Sequence, residues 1–473
     1  MNFSRSAVAV LVLAALSSQQ AMATNGMNLS GYGPEAHAMG GASMAYDNGT
    51  AAVMNNPATL GLMEEGSRFD AAIGGLFPSI TAKAPTMPNA DSSATAFYMP
   101  ALGWVNKSGK LVYGAGVFSQ GGMGTEYAAN TFMAAGSGEK VRSEVGVGRV
   151  IVPLAYEMND KVTLGGTVDY VWAGMDLKMA LTGAQFGDMV AALGGTQTYG
   201  SASGSMVGTL AGAFGGGALT ALNWARVDFS NSSAFTGQAQ GGGFAFKLGA
   251  TFKASSDLTL GATFHSKTSM GDMNTSSASM SMNVDGPGVG GVPTTIPVSG
   301  SISVHNFQWP QTIGFGAAYQ ASDALMLVAD YKRIGWKDVM KDFKVTFTAD
   351  ATQADPVASG FGLGGQVVDM TMIQNWDDQN VFQLGAAYKV SNALTVRGGV
   401  NVANNPVPDK YMNPLFPAIA KTNLSGGVGY AFDKQSSIDA SFAYVPTTSA
   451  TNGGGATVDF GGTSAQLVYS HRY

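Results

Sequence analysis

"LGATFKASSDLTLGATF", residues 248–264, writes one five-residue phrase twice across a polar interval. In Leu258-Thr259-Leu260-Gly261-Ala262-Thr263-Phe264 the larger apolar side chains fall on even positions and small or polar ones on odd, the period of a β-strand with one apolar face. A helix would scatter them. Between the copies, Lys253-Ala254-Ser255-Ser256-Asp257 supplies residues that turn a chain and solvate its backbone, so the unit reads as a β-hairpin. The plan recurs at 98–118, 150–172, 311–331, 381–400 and 422–444, with turns expected near Asn106, Asn159, Ser255, Ser322, Asn392 and Lys434. Unpaired alternating runs at 67–77 and 463–473 bring six hairpins to fourteen strands.

Between the hairpins lie longer, variable segments rich in Gly, Ser and Met: 78–93, 120–143, 176–238, 271–300, 350–371, 403–419 and 449–457. Short turns at one end and long loops at the other are the asymmetry of an outer-membrane barrel, whose strands need about 9–11 residues to cross. The expected fold is therefore all-β: a 14-stranded antiparallel transmembrane barrel over 67–473. Composition fits, because 45% apolar residues give a mean hydropathy of only +0.09, as alternation rather than apolar runs would. A large soluble β-sandwich or propeller is the competing architecture. Glycines at inward positions, among them Gly114, Gly116, Gly314, Gly316, Gly385 and Gly399, point to a roomy lumen. Tyr170, Trp172, Tyr319, Tyr331, Phe382, Tyr388, Phe442 and Tyr444 fall outward near strand ends, where aromatic rings meet membrane interfaces.

Residues 1–23 read as a signal peptide: Arg5, an apolar stretch from Ala7 to Leu16, and Ala21-Met22-Ala23 before the cut. Losing Arg5 moves the formal charge from −6 to −7. An acidic chain without a basic patch argues against nucleic acid as a partner. Zero cysteines exclude disulfides and thiolate metal sites, and neither metal nor cofactor is expected.

Residues 24–66 lack alternation and read as a separate N-terminal element. Its Gly31-Tyr32-Gly33-Pro34-Glu35-Ala36, Gly40-Gly41-Ala42, Asp47-Asn48 and Asn56-Pro57-Ala58 resemble the hatch of the FadL family (OmpP1/FadL/TodX), outer-membrane transporters of long-chain fatty acids and other hydrophobic compounds. The resemblance is carried by the first 80 or so residues and by architecture beyond them. It implies a monomeric fourteen-stranded barrel plugged by this hatch, with Asn56, Pro57 and Ala58 as its motif. It also implies loops that capture an apolar ligand and a kinked third strand that opens sideways into the membrane. In that strand Gln120-Gly121-Gly122 weakens the ladder and allows a bulge.

The loops suit apolar cargo. Leu181, Phe186, Met189, Val190 and Leu193 recur at roughly helical spacing in a segment otherwise expected to be solvated, and Met270, Met273, Met280 and Met282 offer soft surface. Plain packing of the loops is the other reading of these side chains. Alternation turns Arg149, Asp169, Asp330, Arg397 and Asp439 inward, to pair with one another and with Glu35, or to let Arg149 or Arg397 receive a carboxylate. Two rival functions compete with transport. A barrel phospholipase needs a serine beside a histidine, and His265-Ser266 and His305-Asn306 point to opposite faces of a strand. A general porin needs no plug. Expected partners are hydrophobic small molecules, outer-membrane lipids and the barrel assembly machinery, the last reading Leu467, Tyr469, His471 and terminal Tyr473.

Overall fold

The computed structural model describes residues 25–233 and 236–473; the expected signal peptide lies outside them. Alternation closes a single antiparallel sheet, and we number the strands of its closed circuit in chain order. They are β1 Gly66–Lys83, β2 Phe97–Ser108, β3 Leu111–Tyr127, β4 Val141–Glu157, β5 Val162–Thr182, β6 Ala221–Phe229, β7 Ala239–Lys253, β8 Leu258–His265 and β9 Met273–Asn274. There follow β10 Ala278–Asp285, β11 Thr294–His305, β12 Thr312–Gln320, β13 Leu325–Ile334, β14 Gln379–Lys389, β15 Leu394–Ala403, β16 Thr422–Ala431, β17 Ser436–Thr451 and β18 Thr457–Arg472. Most neighbours in the circuit are sequential. Between β5 and β8 it runs β5–β6–β10–β11–β9–β7–β8, and β18 closes on β1 from Arg68↔Arg472 to Lys83↔Thr457.

The circuit holds 18 strands, which corrects the expected fourteen. Over Val162–Met175 β5 pairs directly with β7, and the four additional strands enter above that point, where β5 turns to pair with β6 from Leu177 onward. They come from segments whose Met, Ser and Gly content suggested loops. In β10 the methionines at 280 and 282 are two apart and buried with Val284, while Ile296, Val298, Ile302 and Val304 do the same in β11. Composition misled where period two was present.

A second correction concerns the expected plug. The N-terminal stretch forms helix α1, Pro34–Ala38, and two 3₁₀ turns, Gly49–Val53 and Pro57–Leu62. It is not a separately packed unit: its buried apolar residues sit in clusters completed by barrel strands, as Ala51, Val53 and Leu60 do with Val105, Val112 and Ile151. It touches β1, β2, β4, β5, β7, β15, β16 and β17, walls on opposite sides of the ring, so it lines the lumen.

That lining explains four of the inward glycines, Gly314 and Gly316 against Met44 and Gly385 and Gly399 against Met39, by the reverse of a roomy lumen. Gly114 and Gly116 instead crowd Trp104 and Phe118 of the wall. A Cβ on Gly385 or Gly399 would lie 2.6 Å or closer to the backbone of Met39, and one on Gly165 would lie 2.6 Å from the backbone of Pro57 and Ala58. Glycine marks where chain lies flat on wall. The first hairpin turn also shifts: β2 and β3 stay paired to Ser108↔Leu111, so the turn falls at Gly109, whose φ of 59° favours glycine.

Candidate functional site: a breach in the wall and a cavity above it

β2 and β3 pair from Ser108↔Leu111 only as far as Leu102↔Val117. Above that point Phe97–Ala101 pair with β1 alone, while β3 continues against β4. Higher up, β3 is met again by the segment that precedes β2, where the Ser93 N–H donates to the Glu126 carbonyl at 2.8 Å. Between these limits the wall is unpaired. Beside the gap the β3–β4 register shifts between Ser119 and Gly121, so the bulge falls in the Gln120-Gly121-Gly122 stretch.

From inside, the N-terminal stretch meets this free edge. Asn28 bridges to Gly121, and the Gly122 N–H donates to the Met27 carbonyl at 3.0 Å. Tyr32 donates its hydroxyl to the Gln120 carbonyl at 2.5 Å, and the Gln120 amide donates to Asn28 Oδ1 and to the Tyr32 hydroxyl, both at 3.0 Å. Gly121 has no Cβ that would strike the Met27 carbonyl. A cavity of about 50 Å³ opens at the breach, lined from the lumen by Tyr32 and Glu35 and from the wall by Ala101, Phe118 and Ile73, the last half-exposed on the outer face. Its lining thus draws on lumen residues and on one residue exposed outside.

Asn56-Pro57-Ala58 lies elsewhere. Asn56 Oδ1 accepts from the Ala58 N–H at 3.1 Å and its amide donates to the Met44 carbonyl at 2.7 Å and the Ala250 carbonyl at 3.3 Å. The stretch therefore rests on β5 and β7, and it is Met27, Asn28 and Tyr32 that reach the bulge.

The lumen charges come together in two groups, the first of them joined through Glu35. Arg397 spans Asp439 at 2.6 Å and Glu35 at 3.2 Å; Arg68 holds Asp70 at 2.9 Å and Glu35 at 3.9 Å; Arg149 binds Asp169 at 2.7 Å. Asp169 is shared with the buried Lys247, so this group carries two cations to one anion, and Arg149 Nε has no partner among the described residues. Asp330 instead accepts from the Ser43 and Met44 N–H groups at 2.6 and 3.1 Å. Sequence reasoning missed Arg68, Asp70 and Lys247. Lys247 was findable, since alternation runs back through Phe246 and Phe244, both exposed on the outer face.

His37 on α1 sits between Ser441 and Ser464, each ring nitrogen 2.9 Å from a hydroxyl. Burial lowers its pKa from 6.5 to about 4, so the neutral ring anchors the helix. His265 contacts the Asn55 carbonyl at 2.8 Å, and Ser266 accepts from the Phe246 N–H; His305 binds Asp272 at 2.7 Å and Thr346 at 2.9 Å. Neither places a serine on a histidine.

At the long-loop end a second cavity, about 630 Å³, is lined by Met133, Met179, Met189, Met372 and Met412 with Leu181, Tyr199 and Tyr411. Helix α2, Gly183–Met189, builds one wall and starts with a capping box between Thr182 and Gln185. Of the five apolar loop residues expected here, Leu181 and Met189 line the cavity, Phe186 and Val190 are buried in the adjoining core, and Leu193 is exposed. Met270, Met273, Met280 and Met282 are buried in that core and do not reach the cavity. Lys410 is the cation of the lining; hydrogen bonds from Thr196 and Thr198 hold the facing Asp188 carboxyl below its usual range.

Residues 10–465 match the model of the outer membrane protein transport protein family (OMPP1/FadL/TodX). Among solved structures, the toluene transporter TodX of Pseudomonas putida superposes with a TM-score of 0.79 at 28% identity, covering 94% of this chain and 99% of that one. The toluene transporter TbuX of Ralstonia pickettii gives 0.73 at 30% identity, over 94% and 99%. A protein of Chlorobium limicola, described as uncharacterized and encoded in the 5′ region of a phosphoenolpyruvate carboxykinase gene, is 58% identical over 77 residues. That match spans 16% of this chain and 37% of its relative.

Proposed function

The chain belongs to the outer membrane protein transport family (OMPP1/FadL/TodX), and from that footing we propose that it takes up hydrocarbons or fatty acids by capture in the loop cavity and lateral release through the β2–β3 breach. It is an outer-membrane β-barrel of a family of transport channels. The observation that carries the lateral route is the unpaired wall between Leu102·Val117 and Ser93·Glu126, with a cavity lined from both faces.

An apolar solute gains nothing from a water-filled pore. It gains roughly 25 cal/mol for each Å² moved from water into the methionine-lined cavity, and keeps that gain on passing into hydrocarbon. The step at the wall is local: freeing Met27, Asn28 and Tyr32 from β3 clears the breach, while Asn56-Pro57-Ala58 holds the following chain on β5 and β7. The chain acts as a monomer delivering cargo to outer-membrane lipid, and its last strand is the surface for the assembly machinery, with Leu467 and Tyr473 exposed and His471 stacked on Tyr473 at 5.9 Å.

A carboxylate-bearing cargo is favoured by one observation, the cation excess at Arg149 and Lys247 with Arg149 Nε unpartnered among the described residues. Arg397, spanned by Glu35 and Asp439, is the less available candidate.

The test is uptake of labelled toluene and labelled oleate by cells that lack a transporter of their own. The wild-type chain should confer uptake, and Ala101→Trp, which fills the small cavity, should remove it while leaving the heat-modifiable migration of a folded barrel. Undiminished uptake through the filled breach would place the exit elsewhere.

A further inference from the structure

Three tryptophans descend from neighbouring loop-to-strand junctions: Trp309 before β12, Trp336 after β13 and Trp376 before β14. All are fully buried and pack edge to face, with centroids 5.7 Å apart at 68° for Trp309 and Trp336 and 5.4 Å at 64° for Trp336 and Trp376. One end lies two residues from Gln374, in the lining of the large cavity. At the other, Trp309 Nε1 donates to Asn28 Oδ1 at 2.7 Å, the same oxygen that Gln120 holds from β3. Trp376, Trp336, Trp309, Asn28 and Gln120 thus form a bar across the mouth of the lumen, from β14 to the bulge.

We propose that Trp309, Trp336 and Trp376 are specificity-determining residues that pass planar aromatic hydrocarbons in preference to straight-chain alkanes. The inference rests on the transport reading above and names its substrate class. The three rings line neither cavity and close the space between them; on the transport reading a solute leaving the large cavity for the lumen parts them, and every edge-to-face pairing it breaks must be replaced. An aromatic ring offers the same quadrupole, negative on its face and positive at its edge; an alkane offers only dispersion. The indole N–H groups discriminate further. Trp309 has Asn28 and Trp336 has Gln379 at 3.3 Å, whereas the buried Trp376 Nε1 has no acceptor among the described residues. A π face accepts such a donor and an alkane does not. Insertion beside Trp336 draws Trp309 from Asn28, and Asn28 is the residue that fastens Gln120 at the breach, so the solute that parts the stack also loosens the exit.

The experiment compares initial uptake of labelled toluene and labelled hexadecane by cells carrying the full chain, with Trp336→Leu, Trp336→Phe and Trp376→Phe. The toluene-to-hexadecane ratio should fall about tenfold in Trp336→Leu, the factor equivalent to about 1.4 kcal/mol. It should hold within about twofold in Trp336→Phe, which keeps a ring. Trp376→Phe should lower the ratio by a smaller factor. An unchanged ratio in a Trp336→Leu barrel with normal heat-modifiable migration overturns the inference, as does an equal fall for both solutes. If Trp336→Leu does not insert, an unchanged ratio in Trp376→Phe together with no saturable toluene-induced change in tryptophan emission of the purified wild type overturns it. Wild-type cells that take up neither solute would instead refute the transport reading beneath it.

Discussion

Two sides of one barrel are sealed in different ways. Across β14, β15 and β16 pairing is continuous from Val381↔Ala403 to Lys389↔Thr395 and from Leu394↔Tyr430 to Val402↔Thr422. There the N-terminal stretch rests on a finished wall, at Gly385 and Gly399 against Met39, with Ser425 donating to the Ala38 carbonyl and accepting from the Gly40 N–H. Across β2 and β3 the wall is unfinished, and the same stretch supplies the missing backbone partner through Met27 and Asn28. On the first side it is anchored by what the wall already satisfies. On the second the wall is complete only while it stays, so motion is cheapest there.

The largest effect is expected on the anchored side. Gly399→Leu puts a side chain where Met39 and Gly40 lie, and overpacking of that kind costs about 1–3 kcal/mol. Protease added from the short-turn end should then cut within residues 25–65, whereas the neighbouring Gly398→Ala, whose Cβ meets nothing closer than 3.9 Å, should stay resistant. Equal resistance in both would mean the glycines are not seats for the segment.

Acid should loosen the same side. His37 has its pKa lowered by burial to about 4 against 6.5 when exposed, so the seated helix binds no proton in an interval where the released one does. Its contribution is whole above about pH 6.5 and is lost as pH falls toward 4. Cleavage of the segment should rise across that window in wild type and lose that dependence in His37→Asn; the same pH profile in both would assign the effect to other groups.

How much of this was legible before the structure follows from what each feature depends on. The hairpin at 248–264 was readable because strand period is local and both copies carry it. The four inserted strands escaped because a methionine- and glycine-rich composition was weighed above the two-residue spacing of Met280 and Met282. The bulge could be read at Gln120-Gly121-Gly122, since paired glycines weaken any ladder. The breach beside it could not, because it depends on where β2 stops pairing, and its closure comes from a distant part of the chain, as the 88-residue separation of Tyr32 and Gln120 shows. The inward glycines at 385 and 399 are misread for the same reason: Met39, which fills the space, lies far away in sequence.

On the unfinished side, Asn28→Ala removes the oxygen that serves both Trp309 and Gln120 and leaves two buried donors to find new partners, a cost of about 1–3 kcal/mol to the closed state. Uptake should rise and protease resistance of α1 should not change. A variant that loses α1 protection as readily as Gly399→Leu would show the two sides to be one cooperative seat.

The finest test of the difference is Tyr32→Phe. The hydroxyl donates to the Gln120 carbonyl at 2.5 Å and accepts from the Gln120 amide, but that amide keeps Asn28 Oδ1 when the hydroxyl is gone, and the ring stays to line the small cavity. The change removes close to a single hydrogen bond, about 1 kcal/mol. If the breach is closed by the segment and not by the wall, that energy is taken from the closed state alone, and uptake should increase by up to about fivefold with the barrel's thermal midpoint nearly unmoved. Removing one bond of the same kind on the anchored side, with Ser425→Ala, should leave uptake where it was, because a continuous sheet still stands behind it. Equal gains from Tyr32→Phe and Ser425→Ala would mean that cargo does not leave between β2 and β3, and that the unpaired edge is a feature of the wall without a part in release.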